Sequence, residues 1–250
     1  MDAGFPLLKV ENIKKHFGNL SVLDGISFTV RETQILGIAG PNGAGKTTLF
    51  NLISGLLPLS GGDIYFKEQK ISNLKPYQIC VLGITRTFQI PVVFPNLTVR
   101  KNVSVGAIFG NRQISRKNQG PLIDRILNLL EIEKIQFFYA ETLSLYHRKL
   151  VMLAAALATN PQLLLLDEPL AGLTYAEIEH FMKILKKLNE EQRITLIIIE
   201  HLIDWLRFIS KEMLIIHDGT IMASGPPEQV VKEASVIEIY LGKEQDEPRS

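Results

Sequence analysis

The chain has 250 residues, 46% hydrophobic and 21% charged, enough apolar material for one large core or two lobes. Its formal net charge of +1 supplies no strong field toward nucleic acid or an anionic membrane, so nucleic acid is not expected as a partner. A single cysteine, Cys80, excludes an internal disulfide framework; with no Cys/His cluster a structural zinc is not expected, and a reducing cytosol fits.

The opening "MDAGFPLLKVENIKK" is interrupted by Pro6, Lys9 and Glu11 and reads as no signal peptide. "LLKVEN", "ISFTV" and "GGDIYF", separated by turn-rich segments, predict a small antiparallel sheet. "QILGIAG" predicts a buried parallel strand. It runs into "GPNGAGKTT" (40–48) and the helical "LFNLISG", the strand-to-helix setting of a phosphate-binding loop. Gly40, Gly43 and Gly45 let the backbone turn so that successive N–H groups face a β-phosphate. Pro41, Asn42, Ala44 and Thr48 complete the nucleotide-binding stretch. Lys46 adds a point charge for the β- and γ-phosphates, and Thr47 a hydroxyl for Mg²⁺.

From about Gln89 to Asn160 the strand signal fades, and "PLIDRILNLLEIEKI" places Ile123, Ile126, Leu127 and Leu130 at helical spacing. This predicts a helical lobe (89–160) inserted between two parts of an α/β core (1–88 and 161–250). Within it "LSLYHRKL" (143–150) starts a helix, with Ser144 as N-cap and an apolar run to Thr159 closed by Asn160-Pro161. Leu150–Ala158 is far short of the roughly 20 residues that span a bilayer. The first turn, His147-Arg148-Lys149, is cationic at the end of a helix that is already positive. It reads either as a solvated face or as charge awaiting an anion.

"QLLLLDE" predicts another buried strand, ending in Asp167 to hold a Mg²⁺ water and Glu168 to face an attacking water. Thr174 and Glu177 have the spacing of a capping box. The helix they start, "AEIEHFMKILKKLN", puts Ile178, Phe181, Met182, Leu185 and Leu188 on one stripe, leaving His180 and the lysines outside. "ITLIIIEH" and "EMLIIHDG" complete the buried strands, and "KEQDEPRS" reads as a polar, frayed end.

With these motifs in this order, the chain resembles the ATP-binding subunits of ABC transporters over nearly its whole length. "RTFQIPVVFPNLTVRKNV" resembles the family's glutamine loop, which implies that Gln89 reaches toward Mg²⁺ and the membrane partner. "IIIEH" resembles the switch region, which implies that His201 touches the γ-phosphate. "KHFGNLSVLDGISF" resembles the segment whose aromatic residue, here Phe17, stacks on adenine. The fold implied is α/β: a P-loop NTPase core with a mainly parallel sheet, a small N-terminal antiparallel β-subdomain and an inserted α-helical subdomain.

"LSLYH" falls at the family's signature, typically leucine, serine, two glycines and glutamine. The resemblance implies that Ser144 there binds the γ-phosphate of ATP held by a second subunit. Leu145 and Tyr146 depart from the small residues, His147 from glutamine, and Thr174 from the aspartate usual after the catalytic carboxylate. Motifs acting on the chain's own nucleotide are intact while those acting across a dimer are altered, so the expected second ATPase subunit is a different chain.

"GITRTFQIPVVFPNLTV" and "GPPEQVVKEASVIEIYLG" are most similar to the ATPases of branched-chain amino acid importers. That similarity implies membrane permease subunits, a separate extracytoplasmic solute-binding protein, and a peripheral place on the cytoplasmic face of the inner or plasma membrane. The alternatives are a nucleotide-dependent regulatory or assembly module with little hydrolysis, and a soluble ABC ATPase outside transport.

Overall fold

The computed structural model describes residues 6–110 and 114–241. The tail 243–250 and the first five residues of the opening stretch lie outside them. In chain order the elements are β1 (Leu8–Phe17), β2 (Leu20–Val30), β3 (Ile35–Ala39), α1 (Lys46–Ile53), β4 (Gly61–Phe66), β5 (Gln69–Lys70), α2 (Pro76–Leu82), β6 (Ile84–Arg86), α3 (Val99–Val105), α4 (Arg116–Leu129), α5 (Leu145–Ala158), β7 (Leu163–Asp167), α6 (Tyr175–Glu190), β8 (Thr195–Ile199), α7 (Ile203–Ile209), β9 (Glu212–His217), β10 (Thr220–Gly225), α8 (Pro227–Val230) and α9 (Ala234–Leu241).

The N-terminal strands form an antiparallel sheet in the order β2-β1-β4-β5. Strand β1 runs beyond the expected "LLKVEN": the register shifts around Asn12, whose φ of +45° bends the strand, and pairing then continues to Phe17. The second sheet, β10-β9-β3-β8-β7-β6, is parallel except for β10 at its edge. Strands β3, β7 and β8 are buried at every residue, as an apolar run covered on both faces requires. Strands β6 and β10 were not anticipated. The first is three residues with two polar side chains and the second a partly exposed edge, so neither carries a continuous apolar run.

Between β6 and β7 the described residues hold no strand beyond an isolated bridge, Thr98 to Tyr139. Helices α3, α4 and α5 pack there, α3 running on into a π-helical turn at Gly106–Gly110, with Ile123, Ile126, Leu127 and Leu130 buried as expected. On α6 the five residues of the predicted stripe are all buried. Among the described residues no helix is long and apolar enough to cross a membrane.

Register places the site. Ile38 and Asp167 both pair with Ile199, so the ends of β3, β7 and β8 are level. The loop from Gly40, the pair Asp167-Glu168 and the pair Glu200-His201 therefore leave one sheet edge side by side, at the carboxyl ends where α/β sheets place ligands.

Candidate functional site

The loop after β3 turns because glycine stands where a side chain cannot. A Cβ on Gly40 would lie 2.0 Å from the carbonyl oxygen of Ile216, and one on Gly45 (φ +99°) would lie 2.5 Å from Leu23 Cδ2. Gly45 also caps α1. Pro41 and Thr48 are half-buried, Ala44 is buried, and Asn42, Gly43 and Thr47 face out. The buried Lys46 donates from Nζ to the carbonyls of Gly40 at 2.7 Å and Pro41 at 2.8 Å, so its ammonium lies within the loop. Burial pushes its pKa down, against the carboxylates of Glu168 and Asp167. Phe17, 48% exposed, ends β1 at the hairpin whose Val22 and Leu23 press on Gly45. The Lys15 ammonium sits 4.8 Å from the centre of its ring.

At the end of β7 the two carboxylates have opposite surroundings. Asp167 is buried and accepts from Arg86 Nη2 at 2.6 Å, while Arg86 Nη1 donates to Asn51 Oδ1 at 2.6 Å. The guanidinium carbon lies 5.5 Å from the centre of the Phe50 ring and 5.1 Å from that of Phe88. Burial pushes the Asp167 pKa up, and Arg86 pulls it back. Its Oδ1 is buried without a hydrogen-bond partner, a free lone-pair site. Glu168 is half-buried and points into a cluster: Gln89 Nε2 donates to its Oε2 at 2.5 Å, and His201 Nε2 lies 2.8 Å from its Oε1. Gln89 and His201, 79 and 33 positions from Glu168 in sequence, thus meet on its carboxylate.

Ser144 caps α5 as expected, its Oγ accepting from His147 N at 3.3 Å and pairing with His147 Nδ1 at 2.9 Å. Within the cationic first turn Lys149 is buried, which corrects the solvated-face reading for that residue, while His147 and Arg148 are half-buried. Arg148 Nε donates to the carbonyl of Leu143 at 2.9 Å, and Lys149 is buried on the carbonyls of Glu168 and Pro169. Leu145 meets Gly172, whose added Cβ would lie 2.9 Å from Leu145 Cδ2, and the Tyr146 hydroxyl bonds His180 Nδ1. His180 lies outside the apolar stripe as expected, its side chain 38% exposed and its Nε2 3.3 Å from Glu131. Thr174 and Glu177 form the expected capping box.

Sequence reasoning missed Arg86, Asn51 and Glu200, and found Lys149 only as a charge at the start of α5, without its partners. The one available signal was a charge inside an apolar strand or helix, at Glu200 in "IIIEH" and at Lys149 before "LVML".

A family model described as ABC transporter matches residues 23–171. A probable branched-chain amino acid transport ATP-binding protein, LivG of Methanocaldococcus jannaschii, is 33% identical over 95% of this chain and 98% of its own. The high-affinity branched-chain amino acid transport ATP-binding proteins LivG of Salmonella typhimurium and BraF of Pseudomonas aeruginosa are 32% and 31% identical, with the same two coverages. Among solved structures, the ADP conformation of an ATP-binding cassette of an ABC transporter is 32% identical, covers 96% of this chain and 100% of its own, and superposes with a TM-score of 0.88. A dimeric bacterial ABC transporter cassette is 28% identical, covers 88% and 98%, and gives 0.79.

Proposed function

The chain belongs to the ABC transporter ATP-binding family, and from that premise we propose how its site serves an ATP-hydrolysing transport subunit. Backbone N–H groups from Gly40 to Thr48, with Pro41, Asn42, Gly43, Ala44 and Gly45 shaping the turn, cradle the phosphates. Lys46 exchanges its two loop carbonyls for phosphate oxygens, and Phe17 stacks on adenine. Glu168 takes a proton from the attacking water, with Gln89 and His201 fixing the direction of its carboxylate. His201 then meets the γ-phosphate. The observation that carries this reading is the meeting of Gln89 and His201 on Glu168 beside the loop.

The orphaned Asp167 Oδ1, the exposed Thr47 hydroxyl and the Gln89 amide oxygen are the hard oxygen donors that suit Mg²⁺. When bound there, Mg²⁺ supplies charge neutralisation of the phosphates. Residues 1–88 and 161–250 make the nucleotide-binding core and 89–160 the helical lobe. Ser144, at the start of α5, is assigned to the γ-phosphate of ATP held by a second, different ATPase subunit.

The cargo we assign is branched-chain amino acids or a related small solute, supported by the names of the relatives. Permease subunits then carry the cargo across the membrane, a solute-binding protein delivers it, and this chain sits on the cytoplasmic face. The site is tested by Glu168→Gln: an amide cannot take the proton, so turnover should fall by about 10² or more while ATP stays bound. Steady turnover in that variant would remove Glu168 from its role.

A further inference from the structure

Two buried charges behind Glu168 take no part in the steps above. Lys149, 2% exposed in the first turn of α5, donates from Nζ to the carbonyl oxygens of Glu168 at 3.2 Å and Pro169 at 2.9 Å. Glu200, also 2% exposed at the end of β8, accepts from the backbone N–H of Leu170 at 2.7 Å and of His201 at 3.3 Å. An ammonium on the carbonyls and a buried carboxyl group on the next N–H thus grip successive peptides of one turn. Glu168 in that turn has φ +46°, a conformation a non-glycine residue rarely holds unless its surroundings impose it.

Burying an ammonium is costly unless its donors are used, and here they are used on backbone rather than on a carboxylate. An apolar side chain would fill the same space at less cost. What the charge adds is direction, fixing two carbonyls and hence the plane from which the Glu168 side chain departs. Glu200 does the same for the N–H side and also joins the turn to His201, the other residue in contact with the Glu168 carboxylate.

We propose that Lys149 and Glu200 are positioning residues that clamp the Glu168–Leu170 backbone, aim the Glu168 carboxylate, and through Lys149 tie that aim to the seating of α5. The proposal rests on Glu168 being the general base. Because α5 also carries Ser144, a shift of that helix moves the grip on the catalytic turn in the same motion.

The test uses the full chain with Lys149→Met and Lys149→Arg, and reads two quantities. Amide hydrogen exchange over 168–171 in the isolated chain should quicken by about tenfold in Lys149→Met and return toward wild type in Lys149→Arg. In the transporter assembled with each variant, kcat should fall by about tenfold or more in Lys149→Met with the KM for ATP within about twofold, and Lys149→Arg should recover most of it. Unchanged exchange, unchanged kcat, or a loss confined to KM overturns the clamp. Steady turnover in Glu168→Gln overturns instead the general-base reading, and leaves the exchange result to judge the clamp alone. Should Lys149→Met fail to fold, Lys149→Gln, neutral but still a donor, carries the same two readouts with a smaller expected loss.

Discussion

Glu200 illustrates what burial does to one carboxyl group. Desolvation pushes its pKa from 4.5 up to about 7; the N–H groups of Leu170 and His201 pull it down, Glu168 pushes it up, and Lys149 from α5 pulls it down. A carboxyl with a raised native pKa binds its proton more tightly folded than unfolded. The stability it contributes is full below pH 4.5 and is lost as pH rises through about 7. Wild type should therefore lose stability relative to Glu200→Gln across that window, at up to about 1.4 kcal/mol per pH unit, in urea unfolding at a series of pH values. A gap between the two curves that does not change with pH would refute it. The residues that sequence reasoning found here, Lys46, Asp167 and Glu168, have their chemistry written in contiguous motifs. Arg86 and Glu200 escaped because their partners, Asp167 and Leu170, are 81 and 30 positions away and only the fold joins them.

Among the elements, the start of α6 was fully legible because a capping box is local. Thr174 N donates to Glu177 Oε2 at 2.8 Å, and Glu177 N to Thr174 Oγ1 at 3.4 Å. Thr174→Ala should cost about 1 kcal/mol in denaturant unfolding, whereas Thr174→Asp, which keeps an acceptor, should stay within a few tenths. An equal loss in both would mean that threonine serves something other than the cap. Strands β3, β7 and β8 were legible for a similar reason, since uninterrupted apolar runs need no knowledge of neighbours. Helix α5 was legible as a helix but not in its charges: a cationic first turn conflicts with the macrodipole, and only the carbonyls of Glu168 and Pro169 resolve the conflict for Lys149.

For the whole molecule the question is what closes the nucleotide site. The bulky residues of the altered signature are committed to their own chain, Leu145 against Gly172 and the Tyr146 hydroxyl on His180. Burial, with Glu177 and Glu131 adding to it, pushes the Tyr146 phenol up to about 12, so it stays neutral and keeps its proton for that bond. A helix start held in this way brings side chains, rather than bare backbone, toward a second copy of the chain. The relative with a dimeric structure supports pairing of cassettes as such, and the asymmetry argued here concerns which chain supplies the partner face. Specific ATPase activity of the purified chain, measured over a wide protein concentration range with Lys46→Ala as control, should therefore stay low and flat. It should rise when an ATPase subunit with an unaltered signature is added, and Tyr146→Gly should raise the activity of the chain alone. Wild-type specific activity that climbs with concentration would mean that "LSLYH" completes a homodimeric site. The Tyr146–His180 bond would then be part of a working signature rather than a sign that a different partner is required.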